Sequence, residues 1–333
     1  MATEDWSANL LKPELKALVN EVFGAIAKNK PNDAFKAMAA AFETIQDPEL
    51  ICVDGQTTAS PPFDQVGGYS VNQHIMAMAL GSNGRYIRED KFSLDDWDDH
   101  IPILIHDLAR GDIIKQCIER GRTFYYLSTG YFGNDPSTEN PKGQIIHHRI
   151  VKNDLQHVRI PVRQDEDDKN YNSERWDSFN IDFKPIRSGE KILVIPPTQK
   201  VIQYFDLFDY RLDIWLDRTV AEIKKYTDRP IEIRHKPLRA ERISTSTIEE
   251  ALEDAHCLVA FNSICALEAL IYGKPSIALG PTCARVICET KLDNIENIKH
   301  PGQEDTLWLC RYLANNQFTF AEMLSGYAWS KLK

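Results

Sequence analysis

The chain has 333 residues, 43% hydrophobic and 26% charged, with 16 Gly and 17 Pro, which excludes fibrous and largely disordered classes and suggests two domains. Its 39 basic against 49 acidic residues give a net charge of −10, so the broad basic footprint of a nucleic-acid binder is missing, although a local basic groove stays open. No apolar run is long enough to span a bilayer, and MATEDWSANLLKPELK lacks the basic flank and apolar stretch of a signal peptide, so a cytoplasmic protein with no membrane partner is expected. The seven cysteines are scattered, mostly in apolar runs, with no CxxC or Cys/His cluster; they read as reduced core thiols.

In chain order, LLKPELKALVNEVFGAIAKN and DAFKAMAAAFETI carry apolar residues at helical spacing. LICVDG is a short buried strand ending in a turn. PPFDQVGGYS is a loop, VNQHIMAMALG a candidate helix, and SNGRYIREDKFSLDDWDDH a polar, acidic stretch. IPILIHDL, GDIIKQCIERG and RTFYYLSTG follow as strand, helix closed by Gly121, and strand, the βαβ signature of a parallel sheet. Residues 134–189 contain polar runs and one brief strand-like segment, HHRIV, and the expected boundary lies at their end, between domains 1–188 and 189–333.

Beyond it the alternation resumes. EKILVIPP, RPIEIRHKP, HCLVAFNS and KPSIALG read as strands, with YRLDIWLDRTVAEIKKYTD, TSTIEEALEDA and ICALEALIYG as helices between them. TLWLCRYLANNQF and FAEMLSGYAWSKLK close the chain as helices. The fold class expected is α/β, with two Rossmann-like domains.

The segment VAFNSICALEALIYGKPSIALG is the most informative. An apolar strand ends, the small polar turn Asn262-Ser263 follows, and a helix begins at once, whose free N–H groups and dipole favour a phosphate. Asn262 or Ser263 is otherwise simply a helix cap, and Glu268 a solvated carboxylate. Upstream, Arg234, His235, Lys236, Arg239 and Arg242 cluster at a strand end, where open α/β sheets bind anions; the alternative is a solvated loop paired with Glu241 and Glu249.

This run, Asn-Ser, then Leu-Glu-Ala-Leu, then Gly-Lys-Pro, resembles the C-terminal domain of GT-B glycosyltransferases, in particular the capsule-polysaccharide and Kdo-transferase branch. IEIRHKP is similar to that branch's strand-end basic-Pro motif, in the order Arg-His-Lys-Pro instead of Lys-Pro-His-Pro. The resemblance covers about residues 190–285. It implies two Rossmann-like domains facing a cleft, with the last helix crossing back to the N-terminal domain. It also implies a nucleotide diphosphate sugar, most simply UDP-glucose, with its phosphates on Asn262, Ser263, Arg234, His235, Lys236 and Arg239, and its ribose held by Glu268.

FYYLSTGYFGND and HHRIVKNDLQH resemble, less specifically, phage-encoded glycosyltransferase-like proteins, which implies 5-hydroxymethyl pyrimidine in DNA as the favoured acceptor. Tyr125, Tyr126, Tyr131, Phe132, His147, His148, Arg149, Lys152 and His157 then read as stacking faces and edge donors for a flipped base, or as core. Transfer with inversion needs a base on the acceptor hydroxyl. Asp54 and Asp107, both at strand ends, are the catalytic candidates; the alternatives are a turn former and a helix cap. Asp64 and His74 are weaker. The acid runs Asp95–Asp99 and Asp165–Asp168 read as solvated surface, and no metal is required, since basic residues and helix dipoles serve the leaving diphosphate. A saccharide glycosyltransferase, a GT-B sugar epimerase and a non-catalytic binding protein remain the rival functions.

Overall fold

The computed structural model describes residues 13–27, 38, 42, 45, 47–54, 71–134, 146–160, 173–236 and 246–333. The chain divides into two compact units, Met1–Asp154 with Asn316–Lys333, and Leu155–Asn315.

Unit 1 begins with α1 (Pro13–Ala27), while the second expected helix lies mostly outside the described residues. Next come β1 (Ile51–Asp54), α2 (Val71–Gly81), β2 (Arg85–Arg88), β3 (Ile103–His106), α3 (Gly111–Arg120), β4 (Phe124–Thr129) and β5 (His147–Lys152). Every residue of β1 is buried, as expected for a parallel strand covered on both faces. α2 is buried from Asn72 to Gly81, so it runs through the core and not along its surface. α3 ends on Gly121 in the left-handed conformation that favours glycine.

Unit 2 contains α4 (Ser173–Asp177), β6 (Lys191–Ile195), α5 (Gln199–Tyr204), α6 (Leu212–Ile223), β7 (Ile231–Ile233), α7 (Ile248–Leu252), β8 (Ala255–Ala260), α8 (Cys265–Ile271), β9 (Ser276–Ala278) and α9 (Gln303–Asn315). The chain then returns to unit 1 as β10 (Gln317–Thr319), α10 (Phe320–Leu324) and α11 (Tyr327–Leu332).

The unit 1 sheet has the order β10-β5-β4-β3-β1-β2. β1 pairs in parallel with β2 and β3, and β3 with β4, while β5 and β10 add antiparallel pairs at one edge. The unit 2 sheet, β7-β6-β8-β9, is parallel throughout. Each unit is thus a Rossmann-like α/β layout, and each sheet changes direction of growth once, between β1 and β3 and between β6 and β8. Crevices beyond the carboxyl ends of strands at such switch points are where open α/β sheets take ligands.

Two expectations are corrected. The boundary falls at 154/155, not 188/189, because the chain after β5 is tied to unit 2. The Lys184 N–H donates to Ile271 O (2.9 Å) and the Arg187 N–H to Gly273 O (3.2 Å). The expected second domain also loses its tail, since Phe318, Phe320, Met323, Leu324, Ala328 and Trp329 are buried in one core with Leu15, Leu50, Leu80 and Leu104. The crossing of the last helix to the N-terminal unit is therefore present. It comes as two short helices preceded by a strand, not as one helix.

Candidate functional site

At the unit 2 switch point three strand ends lie side by side. Ile195 is opposite Ala260, and Val194 opposite Ile233, so Pro196-Pro197-Thr198, Phe261-Asn262-Ser263 and Arg234 leave the sheet together. The Phe261 ring meets Phe205 edge-on at 5.5 Å between centroids and Trp215 at 6.3 Å. Gly280 allows this, because a Cβ there would sit 2.7 Å from the Phe261 ring.

The turn that follows is pinned from several sides. The Cys265 N–H donates to Ser263 Oγ (3.2 Å), and Thr282 Oγ1 donates to Ser263 O (2.9 Å). Buried Gln156 donates from its amide to Asn262 O and accepts from the Cys283 N–H at 3.0 Å. Both turn carbonyls are thus engaged and the turn is rigid, while the expected free N–H groups at the start of α8 are taken up locally: those of Cys265 and Ala266 donate to Ser263, and those of Leu267 and Glu268 to Ile264 O. Gln156 was missed in the sequence, since nothing local marks a glutamine that reaches residues more than a hundred positions away.

Arg234 begins where β7 ends. Its backbone N–H donates to Val194 O (2.9 Å), and its guanidinium donates to Ser246 Oγ (2.8 Å) and to Ser246 O. The charge of Arg234 also acts on Glu268. His235 and Lys236 are exposed beside Arg234, and Arg239 lies outside the described residues. Thr247 caps α7, through a capping box with Glu250.

Burial pushes the Glu268 carboxyl up, against the hydrogen bond with Cys265 and the Arg234 charge. The Cys265 thiol is itself pushed up to about 12 by burial and by Glu268. A carboxyl raised in the folded state contributes stability that is full below its ordinary pKa and is lost as pH rises through the raised value. Glu268→Gln is therefore expected to melt higher than the parent near neutral pH, with the gap closing at about pH 4. Thermal melts at the two pH values check it; an equal gap at both would remove the ionised, half-buried carboxylate.

At the unit 1 switch point Val53 pairs with Ile105, and Asp54 and His106-Asp107 follow. Asp54 is 2% exposed and accepts a 2.6 Å hydrogen bond from the Tyr86 hydroxyl. Burial, then this bond, holds the Tyr86 phenol far above its usual range. Asp107 has left-handed backbone (φ 54°) and makes no side-chain cap; its Oδ1 accepts from the Tyr126 hydroxyl at 3.3 Å. The two catalytic candidates thus end neighbouring strands, each in contact with a tyrosine. Tyr86 was missed because β2 is hidden in a polar stretch.

The base-stacking expectation does not hold. Tyr125, Tyr126, Tyr131 and Phe132 are buried at 9% exposure or less, and His148, Arg149 and His157 are buried too, so these residues build the cores of their units and present no open stacking face. Asp95 and Asp99 pair with Arg120 and Arg122, at 2.6 and 3.3 Å. Asp64, Gly67, Gly68 and Asp165–Asp168 lie outside the described residues. Among the described residues no group of three or more His, Cys, Asp or Glu is placed to hold a metal ion, and no helix is long and apolar enough to cross a membrane. All seven cysteines are free.

No family model and no curated protein matches the chain. Two solved structures are similar to it in layout, both of KpsC from Thermosulfurimonas dismutans. The beta Kdo 2,4 transferase has 12% identity and a TM-score of 0.38, over 73% of this chain and 88% of its own. The beta Kdo 2,7 transferase has 13% identity and a TM-score of 0.39, over 85% of this chain and 99% of its own. At these identities neither neighbour carries a residue role over to this chain.

Proposed function

We propose that the chain is a glycosyltransferase whose unit 2 holds a nucleotide diphosphate sugar, UDP-glucose being the donor to try first. The observation that carries this is that Arg234, at the end of β7, and the pinned Asn262-Ser263 turn, at the end of β8, leave the sheet on either side of β6, at the switch point of a parallel sheet. The cations Arg234 and Lys236 suit a diphosphate, and Glu268 suits a ribose hydroxyl. His235 and Arg239 complete the proposed phosphate shell.

In the reaction an acceptor oxygen attacks the anomeric carbon as the bond from that carbon to the diphosphate breaks. The acceptor proton passes to Asp54 or Asp107, and the cations meet the charge that develops on the leaving diphosphate. A hydroxymethyl pyrimidine in DNA draws no support from unit 1, whose expected stacking residues are buried. It is kept as one arm of the test, with saccharides as the other.

The test is UDP release from a panel of UDP-sugars, with and without DNA containing 5-hydroxymethyl pyrimidines and with simple saccharides. Release that depends on one acceptor class supports transfer and identifies that class. UDP released with an altered free sugar points to epimerisation, and binding without release to a non-catalytic protein. Arg234→Ala is expected to weaken donor binding roughly tenfold to a hundredfold, the range for a lost charged hydrogen bond, with the melting temperature little changed. Calorimetric titration checks it; unchanged affinity would remove the donor site.

A further inference from the structure

The amino end of β8 carries an irregularity. Lys191 pairs with Ala255 and Ile192 with Cys257, so His256 is an extra residue in a parallel pair. Such a bulge re-aims the side chain it carries. His256 is 6% exposed, and its ring is fixed at both nitrogens: Nε2 lies 2.9 Å from Ile295 O, and Nδ1 lies 2.9 Å from Ser188 Oγ. A carbonyl only accepts, so Nε2 carries a proton. In the neutral ring Nδ1 is then left to accept from the Ser188 hydroxyl.

Ser188 itself is exposed, on the segment that leads into β6. It is held from both sides. The Arg187 N–H donates to Gly273 O (3.2 Å), and the Glu190 N–H to Asp254 O (3.0 Å). Gly189 permits this close approach, because a Cβ there would lie 2.3 Å from Asp254 O. The other oxygen near the Ser188 hydroxyl, Gly189 O at 3.4 Å, already accepts from Arg229 Nη1 at 3.0 Å. Beside the pair lies an open cleft of about 680 Å³, lined mainly by charged side chains, among them Glu190, Arg229 and Glu296. Glu296 follows the carbonyl that holds His256. Its carboxyl is lowered first by the hydrogen bond from Thr227, then by Arg229, and last by the charge of His256.

We propose that Ser188 and His256 form a nucleophile–base pair that cleaves short acyl esters, with Ile295 O orienting the base. A hydroxyl, a base within hydrogen-bond reach and a third group that fixes the base are the parts that nucleophilic catalysis requires. Ser188 Oγ attacks the acyl carbon while its proton passes to His256 Nδ1. The bond from that carbon to the alcohol oxygen breaks, and the alcohol leaves with the proton. Water then repeats the step on the acylated serine, which frees the carboxylic acid and restores Ser188. The N–H groups of Ser188 and Gly189 make no hydrogen bond among the described residues and are available to the charge on the acyl oxygen. The charged walls suit an acetyl-sized group and give a long acyl chain little apolar surface to lie against. His256 stands four residues before Ala260 along β8, about 13 Å from the strand end where the donor is proposed, so the two sites are separate.

The experiment treats the full chain with a fluorophosphonate probe and, separately, with p-nitrophenyl acetate, and follows protein mass and p-nitrophenolate release. A single label on the peptide that contains Ser188 is expected. Ser188→Ala is expected to take no label there and to lose acetate hydrolysis, with the melting temperature little changed because the side chain is exposed. His256→Gln keeps a donor for Ile295 O but removes the base, and is expected to slow labelling about a hundredfold or more; where that variant does not fold, Ser188→Ala decides alone. p-Nitrophenyl octanoate forms the second arm, with turnover at least about tenfold slower than acetate expected. Faster turnover of octanoate would overturn the short-acyl assignment. Label confined to another residue, or equal acetate hydrolysis by the parent and Ser188→Ala, would overturn the pair.

Discussion

Asp54→Asn is expected to lower the transfer rate by roughly a hundredfold to ten-thousandfold, the usual contribution of a general base, while donor affinity stays unchanged. The substitution keeps the volume and the hydrogen bond from Tyr86 but removes the charge that accepts a proton. The effect should therefore appear in kcat and leave donor binding by unit 2 untouched. Asp54 is also a structural group: it is 2% exposed, with the Tyr86 hydroxyl 2.6 Å away. Tyr86→Phe separates the two roles, since it leaves the carboxylate and deletes only its donor. If Asp54 is the base, Tyr86→Phe retains most of the rate and raises the pH at which the rate begins to fall on the acid side, because a carboxylate without its donor is easier to protonate. Equal loss in both variants, with lowered melting temperatures, would make the pair a strut and pass the role to Asp107.

The parts of this fold that could be read from sequence are those whose burial is total. β6, β8 and β9 sit in a sheet flanked by helices, so ILVI, CLVA and SIA stand out as apolar runs, and their neighbours keep helical spacing. β2 was invisible because RYIR is an edge strand that shows polar residues to solvent, and β10 because three residues make no period. The boundary failed for a different reason. The stretch 134–189 is polar, yet its first part supplies β5 to one sheet and its last part runs along the end of α8. There a Cβ on Gly273 would lie 2.2 Å from Pro185 O. Composition marks where a chain is solvated, not which core it serves.

The same limit applied to the site. Arg234, Glu268, Asn262 and Ser263 were found because strand-turn-helix chemistry is local. Gln156, Tyr86 and the Ser188–His256 contact were not, because each depends on pairing across the fold. His148 and Arg149 read in the sequence as edge donors for a base or as core, and burial of β5 in the sheet puts both inside.

Gly81→Ala is expected to cost about 3 kcal/mol or more of stability, although alanine is the better helix former by about 1 kcal/mol. Gly81 closes α2 where the returning tail crosses it. A Cβ there would lie 1.8 Å from Met323 O and 2.9 Å from the Gly326 N, and these are backbone atoms that no rotamer change can move. To accept the methyl group, α10 and the turn into α11 must lift, which opens the core around Met323, Leu324 and Trp329. The tail is fixed at several other points: Trp329 Nε1 donates to Glu49 (3.1 Å), Tyr125 OH donates to Leu332 O (3.0 Å), and Gln317 accepts from the Tyr131 N–H (2.6 Å). Release of α10 therefore loosens the edge strand β10 as well. Gly24→Ala is the matched control. Gly24 lies in α1 with nothing among the described residues within 4 Å of a Cβ, so the same substitution there should raise stability by up to about 1 kcal/mol. Urea unfolding of the two variants should move the midpoint in opposite directions. If Gly81→Ala were as stable as the parent, residues 316–333 could not be packed on α2 as described.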